Sequence, residues 1–148
     1  MNEHDPLNGR GPRAGTGIRE INAPGPPPGP GYSHAVSADV PGRLVVLSGQ
    51  IALDGDGNLV GPGDLEAQTR QVFANLGAAL TAAGARWEHV VRLGYFLLDA
   101  RGVGVVRAVR EEMLPDGLAP AASLVEVRRL VRDDLLVEIE AMAVVPPG

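Results

Sequence analysis

The stretch LLVEIEAMAVV, residues 135–145, constrains the fold more than any other part of the sequence. Side chains alternate along a β-strand, so one face of this stretch carries only Val, Ile and Ala, and the other carries Glu138 and Glu140. The two carboxylates would lie roughly 7 Å apart. Because burying an unpaired carboxylate is costly, they need partners, water or a cavity. Two interpretations stay open: ordinary glutamates on a solvent-facing strand, or a polar site at a cleft or subunit interface.

Two helices are predicted, and each carries an apolar stripe. The first covers residues 64–83, with Asp64 placed to cap its N-terminus and Gly84 placed to end it. The second covers residues 102–114. The stripes consist of Leu65, Val72, Phe73, Leu76, Leu80 and Ala83 in the first helix, and of Val103, Val106, Val109 and Met113 in the second. Both helices therefore need one face of a sheet to cover.

The remaining periodic segments are predicted strands, at residues 17–23, 32–39, 43–53, 89–98, 121–130 and 135–145. A Pro-Gly pair at 41–42 predicts that the second and third of these form a hairpin. The order indicates an α+β fold, a mixed sheet with two helices on one face. In a chain of 148 residues nothing is left to cover the other face, so we expect a second subunit to cover it.

The chain reads as one domain preceded by a tail. Residues 1–16 show no periodicity and are predicted to be a flexible tail, so that residues 17–148 form a single domain. The proline-rich residues 24–31 are predicted to be an extended connector. The N-terminus is polar, and no apolar stretch approaches the length of a membrane span. We therefore expect a cytoplasmic protein without a membrane partner.

Composition argues against several classes of function. The sequence has no cysteine, which excludes disulfides and thiolate chemistry. His4, His34 and His89 are far apart and show no ligand spacing, and the Asp- and Gly-rich residues 54–63 lack the pattern of a calcium loop. We expect neither a metal nor a cofactor. A net charge of −5 argues against a nucleic-acid partner, because phosphate binding requires a basic face.

Five stretches taken together resemble the reactive intermediate deaminase family, also called the RidA or YjgF family. They span about residues 18–145 and read INAPGPPPGPGYSHAV, VVLSGQIALDGDGNLVG, DLEAQTRQVFANLGAAL, AAGARWEHVVRLGYFLLD and PAASLVEVRRL…VEIEAMA. The resemblance implies a chorismate-mutase-like α+β subunit and a homotrimer, with small-molecule clefts between neighbouring subunits. That expectation agrees with the uncovered sheet face inferred from the element order.

The resemblance also implies roles for particular residues. Glu138 matches the glutamate that helps to hold the water that hydrolyses enamines and imines to carbonyl compounds and ammonia. Tyr32 matches a tyrosine lining the cleft, and its alternative is a strand residue with its hydroxyl in solvent. Gly49 matches a glycine whose backbone approaches the ligand, and its alternative is a glycine easing a strand bend. Glu140 has no matched catalytic role. Asn75 is expected to be structural, bonding to a neighbouring loop.

One departure from the family bears on substrate binding. Deaminating members carry PARS before the penultimate strand, and its arginine grips the substrate carboxylate through two parallel hydrogen bonds. Here the stretch is PAAS, so Ala122 and Ser123 are the residues expected to contact the substrate, and Leu124 stands where a cysteine is common. Arg128 and Arg129 lie about 20 Å farther along an extended strand. No nearby arginine is therefore obviously equivalent to the missing one, and a more apolar cleft is expected.

Three functions are compatible with these residues. The first is an imine or enamine hydrolase of altered substrate range, with Glu138 in acid–base chemistry. The second is a non-catalytic homotrimer that binds a small molecule, or a pathway-specific tailoring enzyme on the same scaffold. The weakest is an endoribonuclease or translation inhibitor, because the chain is acidic. With Ala122 in place of arginine, we expect deamination of small 2-imino acids to be weak or absent.

Overall fold

The computed structural model describes residues 13–22, 24, 31–38 and 41–148. Residues 1–12 of the expected tail, and most of the proline-rich connector, lie outside these ranges. Residues 13–16, which the sequence assigned to the tail, lie against the domain. Thr16 is buried, and Arg13 forms an ion pair with Glu20 at 3.1 Å. For residues 1–12 the tail stays a prediction.

The described chain contains six strands and two α-helices. The elements in order are β1 (Ile18–Ile21), β2 (Ala35–Ala38), β3 (Arg43–Gln50), α1 (Leu65–Ala82), β4 (Val90–Leu97), α2 (Val103–Met113), β5 (Ala121–Glu126) and β6 (Val137–Val145). Short 3-10 helices, Trp87–His89 and Ala100–Gly102, precede β4 and α2. The strand predicted at 121–130 ends early, because β5 is an edge strand and its neighbour β4 ends at Leu97, opposite Glu126.

The main sheet has four strands in the order β3-β6-β4-β5. Strands β4 and β5 run parallel and the other pairs are antiparallel, which confirms a mixed sheet. The predicted hairpin of residues 32–39 with 43–53 is wrong, because β2 pairs with β1 in a separate two-stranded sheet. Strand β3 pairs instead with β6, which places buried Leu47 opposite Ala141 and Val45 opposite Ala143. This register lets both strands bury the same face, which the short Ala- and Ser-rich β2 could not do.

Helix α1 forms as its periodicity predicts. The Asp64 carboxylate accepts a hydrogen bond from the Ala67 backbone N–H at 3.0 Å, and Gly84 ends the helix with φ +71°. Its stripe packs on the sheet together with α2, and Phe73 meets Trp87 edge to face with 6.1 Å between ring centroids. The two helices thus cover one face of the sheet, which confirms the α+β architecture.

The side chains of strand β6 alternate between the two predicted faces of the sheet. Val137, Ile139, Ala141 and Ala143 are at most 1% exposed under the helices. The opposite face, which we call the open face, carries Glu138, Glu140, Met142 and Val144 on this strand, together with exposed Leu44 and Val46 on β3 and exposed Val125 on β5. In the single chain nothing among the described residues covers these apolar side chains.

Candidate functional site

The Glu138 side chain lies over a glycine on the open face. Strand β3 shifts its pairing with β6 between Leu47 and Gln50, and Gly49 lies in that irregularity. A Cβ atom on Gly49 would stand 2.1 Å from Glu138 Oε1, so only glycine leaves room for the carboxylate here. The structure therefore brings together two of the residues that the sequence singled out. It also gives a steric reason for glycine at position 49.

The environment of Glu138 favours its protonated form. Partial burial raises the pKa of Glu138, and the nearby Glu140 carboxylate raises it further. Glu140 lies over Gly94 in the same way, since a Cβ there would stand 2.8 Å from its Oε1. Within the described part of the chain neither carboxylate forms an ion pair. A raised pKa brings a carboxyl group closer to the pH at which it exchanges a proton with water efficiently.

A cavity of about 310 Å³ lies on the other side of the sheet, between α2 and the edge strand β5. It is lined by Gly31, Tyr32, Tyr95, Val103, Val106, Arg107, Arg110, Ala122, Ser123 and Leu124. Three of the predicted substrate-binding residues, Tyr32, Ala122 and Ser123, therefore share one cavity. We call it the Ala122 cavity.

Two arginines of α2, Arg107 and Arg110, line the Ala122 cavity, although the sequence showed no nearby arginine that is obviously equivalent to the missing one. Arg110 is only 7% exposed, and its Nη1 donates a hydrogen bond to the backbone carbonyl of Gly31. Arg107 is exposed. The signal in the sequence was the helical spacing, because residues three apart lie on one side of a helix and both arginines continue the row begun by Val103.

Tyr95 adds a hydroxyl group to the Ala122 cavity. Burial raises the pKa of Tyr95 to about 12, although the positive charge of Arg110 acts in the opposite direction. The phenol therefore stays protonated at neutral pH and can donate a hydrogen bond. The sequence gives no signal for this role, since a tyrosine in β4 is typical of an ordinary core aromatic.

The Ala122 cavity and Glu138 do not meet within one chain. Ala122 is opposite Leu93 in β4, whereas Glu138 is opposite Phe96. Glu138 lies two strands across the sheet and three residues along it from Ala122, which places their Cα atoms roughly 14 Å apart. Their side chains also leave opposite faces of the sheet. The residues expected to form one site thus occupy two separate places.

The described residues contain no group of three or more His, Cys, Asp or Glu side chains arranged to hold a metal ion. None of the described helices has the length and apolar character needed to cross a bilayer.

Comparison with known proteins places this geometry in a family. The family model described as Endoribonuclease L-PSP matches residues 22–145. The chain belongs to the RidA/YjgF family. The RutC family protein slr0709 of Synechocystis is 42% identical over 130 residues, which cover 87% of this chain and 95% of that protein. The mouse protein 2-iminobutanoate/2-iminopropanoate deaminase is 36% identical and aligns over 78% of this chain and 82% of its own length.

Solved structures agree with that assignment. The crystal structure of the Rid family protein YyfB from Yersinia pestis superposes with a TM-score of 0.77 at 38% identity, covering 86% of this chain and 98% of that one. The crystal structure of RidA from Psychrobacter gives a TM-score of 0.63 at 32% identity, covering 76% of this chain and 86% of that one. The resemblance inferred from the sequence motifs is confirmed.

Proposed function

We propose that this RidA/YjgF-family chain hydrolyses imines or enamines to carbonyl compounds and ammonia, with Glu138 as the acid–base group. The observation that carries the proposal is the placement of Glu138 over Gly49, with a raised pKa and no cationic partner among the described residues. Relatives from mouse, rat and Salmonella that carry the name 2-iminobutanoate/2-iminopropanoate deaminase support the reaction class.

The chemistry requires two protons to be carried from oxygen to nitrogen, one after the other, and one carboxylate can carry both. The Glu138 carboxylate accepts a proton from a water molecule as its oxygen bonds to the imine carbon, and the C=N double bond becomes a single bond. The same group then returns the proton to the nitrogen. Glu138 next accepts the proton of the new hydroxyl group and passes it to the nitrogen, so that the C–N bond breaks, ammonia leaves, and the carbon–oxygen bond becomes a carbonyl. The balance is one imine and one water consumed, with one carbonyl compound and one ammonia formed.

The complete site is proposed to lie between copies of this chain. Leu44 is 60% exposed, Val46 65% and Val125 45%, so the open face presents apolar surface that another copy would cover. Association through this face would give Glu138 of one copy a route to the Ala122 cavity of the next. A homotrimer with one cleft at each interface would cover the apolar open face and would bring Glu138 to the Ala122 cavity of the next copy.

The test is ammonia release from freshly generated 2-iminobutanoate, with light scattering to measure the mass of the assembly. Glu138→Gln should lower the rate by about 10²- to 10⁴-fold, as expected for the loss of a general acid–base group. Glu140→Gln is the matched control, because it changes the next carboxylate on the same face, and it should keep the rate within a few-fold. Equal rates for Glu138→Gln and the wild type, or a stable monomer at micromolar concentration, would contradict the proposal.

A second candidate is a trimer that binds a small molecule without catalysis. Ala122 favours it, because the arginine of the PARS stretch in deaminating members is absent here. Ligand binding without ammonia release would support this candidate. Ribonuclease activity is weaker, since a chain of net charge −5 is poorly suited to bind a polyanion.

A further inference from the structure

We propose that Glu20 is a positioning residue for the Ala122 cavity. Its buried carboxylate holds the start of β5, and with it Ala122 and Ser123, in the arrangement that binds a ligand. Glu20 takes no part in the proposed proton transfers and does not line the cavity itself. As a role in the binding step of the reaction, the proposal rests on the proposed function.

The place of Glu20 in β1 is the first observation. Ile18 and Glu20 share the buried face of this strand, whereas Arg19 between them is exposed. Glu20 is only 3% exposed. Because a buried carboxylate is costly unless it is paired, an apolar side chain would be the ordinary choice on this face. The groups that the carboxylate contacts therefore have to explain it.

One of these groups lies just before β5. Glu20 Oε1 accepts a hydrogen bond from the backbone N–H of Ala119 at 2.9 Å. Ala119 is itself buried, and β5 begins two residues later at Ala121. A hydrogen bond from a backbone N–H to a carboxylate is charge-assisted, so it is stronger than one to a neutral acceptor. Glu20 therefore fixes the backbone that leads into the cavity wall.

Ser33 holds the same residue from the other side. Its hydroxyl donates a hydrogen bond to the Ala119 carbonyl at 2.7 Å. Its neighbour Tyr32 lines the cavity. Ala122 and Ser123, which also line it, follow Ala119 by three and four residues. A displacement of Ala119 would therefore move both parts of the cavity wall.

Arg13 fixes the carboxylate of Glu20. Its Nε donates to Glu20 Oε1 at 3.2 Å, and its Nη2 lies 3.1 Å from the same oxygen. Its Nη1 donates to the backbone carbonyl of Glu88 at 3.1 Å and to that of Val90. Val90 is the first residue of β4, which pairs in parallel with β5. The Arg13–Glu20 pair therefore links the starts of the two strands that carry the cavity wall.

The experiment separates the acceptor at position 20 from its charge. Glu20→Gln keeps an oxygen that faces the Ala119 N–H but removes the charge that pairs with Arg13, whereas Glu20→Ala removes both. Both variants should melt at a lower temperature than the wild type, because the buried Arg13 loses its counter-ion. Amide hydrogen exchange of residues 119–124 in the full chain should be faster in Glu20→Ala and close to wild type in Glu20→Gln. Unchanged exchange in Glu20→Ala would overturn the proposal.

Ligand binding is the second readout. Ammonia release from 2-iminobutanoate gives KM and kcat, and calorimetry with the product 2-oxobutanoate gives a dissociation constant. Glu20→Ala should raise KM and this dissociation constant about 10-fold, because the cavity wall would hold its binding arrangement for a smaller fraction of the time. Since Glu138 is untouched, kcat should stay within a few-fold. Glu20→Gln should bring both constants back to within a few-fold of wild type at a lowered melting temperature, a recovery that a merely structural role would not give.

Asp64→Ala is the matched control for lost stability. It removes the cap that Asp64 forms on Ala67 at the start of α1, so it should lower the melting temperature and leave KM and the exchange of residues 119–124 unchanged. An equal rise of KM in Asp64→Ala, or binding in Glu20→Gln as weak as in Glu20→Ala, would overturn the proposal. If Glu20→Ala fails to fold, Glu20→Asp takes its place with the same expected exchange and KM, because it keeps the charge but draws the carboxylate back from Ala119.

The two proposals fail in different ways. A wild type that releases no ammonia from 2-iminobutanoate would refute the hydrolase, and the exchange of residues 119–124 together with the binding of 2-oxobutanoate would still decide the role of Glu20. Ammonia release with the same KM in the wild type and in Glu20→Ala would refute the role of Glu20 and leave the hydrolase standing.

Discussion

Replacing Gly49 by alanine should move the Glu138 carboxylate without disturbing the fold. The new Cβ would stand 2.1 Å from Oε1, 2.9 Å from Cδ and 3.0 Å from Cγ of Glu138, whereas ordinary contacts begin near 3.4 Å. The carboxylate oxygen must therefore shift by about 1.3 Å to reach ordinary van der Waals contact. The obstructing atoms belong to the end of a flexible side chain, so a change of rotamer can make the room.

The expected loss is in activity and not in stability. Displacing a reacting group by about 1 Å can cost about 10²-fold in rate, so kcat/KM for 2-iminobutanoate should fall by that order. Gly49 does not have the positive φ that favours glycine. Alanine there gains about 0.4–1 kcal/mol by restricting the unfolded chain, which offsets part of the cost of moving Glu138. The melting temperature should stay within about 4 °C of the wild type.

The assay is ammonia release together with thermal unfolding, and Gly94→Ala is the matched control. Its Cβ would stand 2.8 Å from Glu140 Oε1, so it displaces the neighbouring carboxylate in the same way. Gly94→Ala should keep kcat/KM within a few-fold of the wild-type value. Wild-type activity in Gly49→Ala would refute the reasoning, because the reaction would then not depend on the position of Glu138. An equal loss in Gly94→Ala would refute the distinction between the two glutamates.

Three further predictions test the pKa, the open face and the anchoring of β6. Because burial and Glu140 raise the pKa of Glu138, its ionised form destabilises the folded state above that pKa. Glu138→Gln should therefore melt higher than the wild type at neutral pH, with a difference that shrinks as the pH falls through the raised pKa and is gone below about pH 4.3. A difference independent of pH would contradict this. Val46→Asp should reduce the mass of the assembly measured by light scattering. Val131→Asp, at a 79% exposed loop position, should leave that mass unchanged. An unchanged assembly in Val46→Asp would exclude the open face as the interface. Gln68→Ala should lower the free energy of unfolding by about 1–3 kcal/mol in chemical denaturation. The Gln68 side chain accepts a hydrogen bond from the Leu136 N–H at 2.8 Å and donates to the carbonyls of Gly61 and Asp134. An unchanged denaturation midpoint would show that these bonds do not hold the start of β6.

Features whose signals lie within a few neighbouring residues were predicted correctly from the sequence. The alternation of β6 correctly separated a buried face from the face that carries Glu138. The helix signals at Asp64 and Gly84 were confirmed because caps act within a few residues. The structural role expected of Asn75 is also confirmed, since its Nδ2 donates to the backbone carbonyls of Ile51 and Leu53.

Features that depend on distant partners were not predictable in this way. The hairpin was wrong because β3 pairs with β6, which is separated from it in the sequence by both helices and two other strands. Arg110 was missed because an arginine at the end of an amphipathic helix ordinarily points to solvent. Its burial depends on Gly31, which is 79 residues away in the sequence and accepts the hydrogen bond from Nη1.

The most direct test of the site between copies is to mix two inactive variants. Ala122→Phe fills the cavity and leaves Glu138 intact, whereas Glu138→Gln leaves the cavity intact. If each site takes its cavity from one copy and Glu138 from the next, co-expression of the two variants in equal amounts should restore about one quarter of the wild-type activity, because random assembly makes about one interface in four native. Mixed assemblies no more active than either variant alone would contradict a site shared between copies.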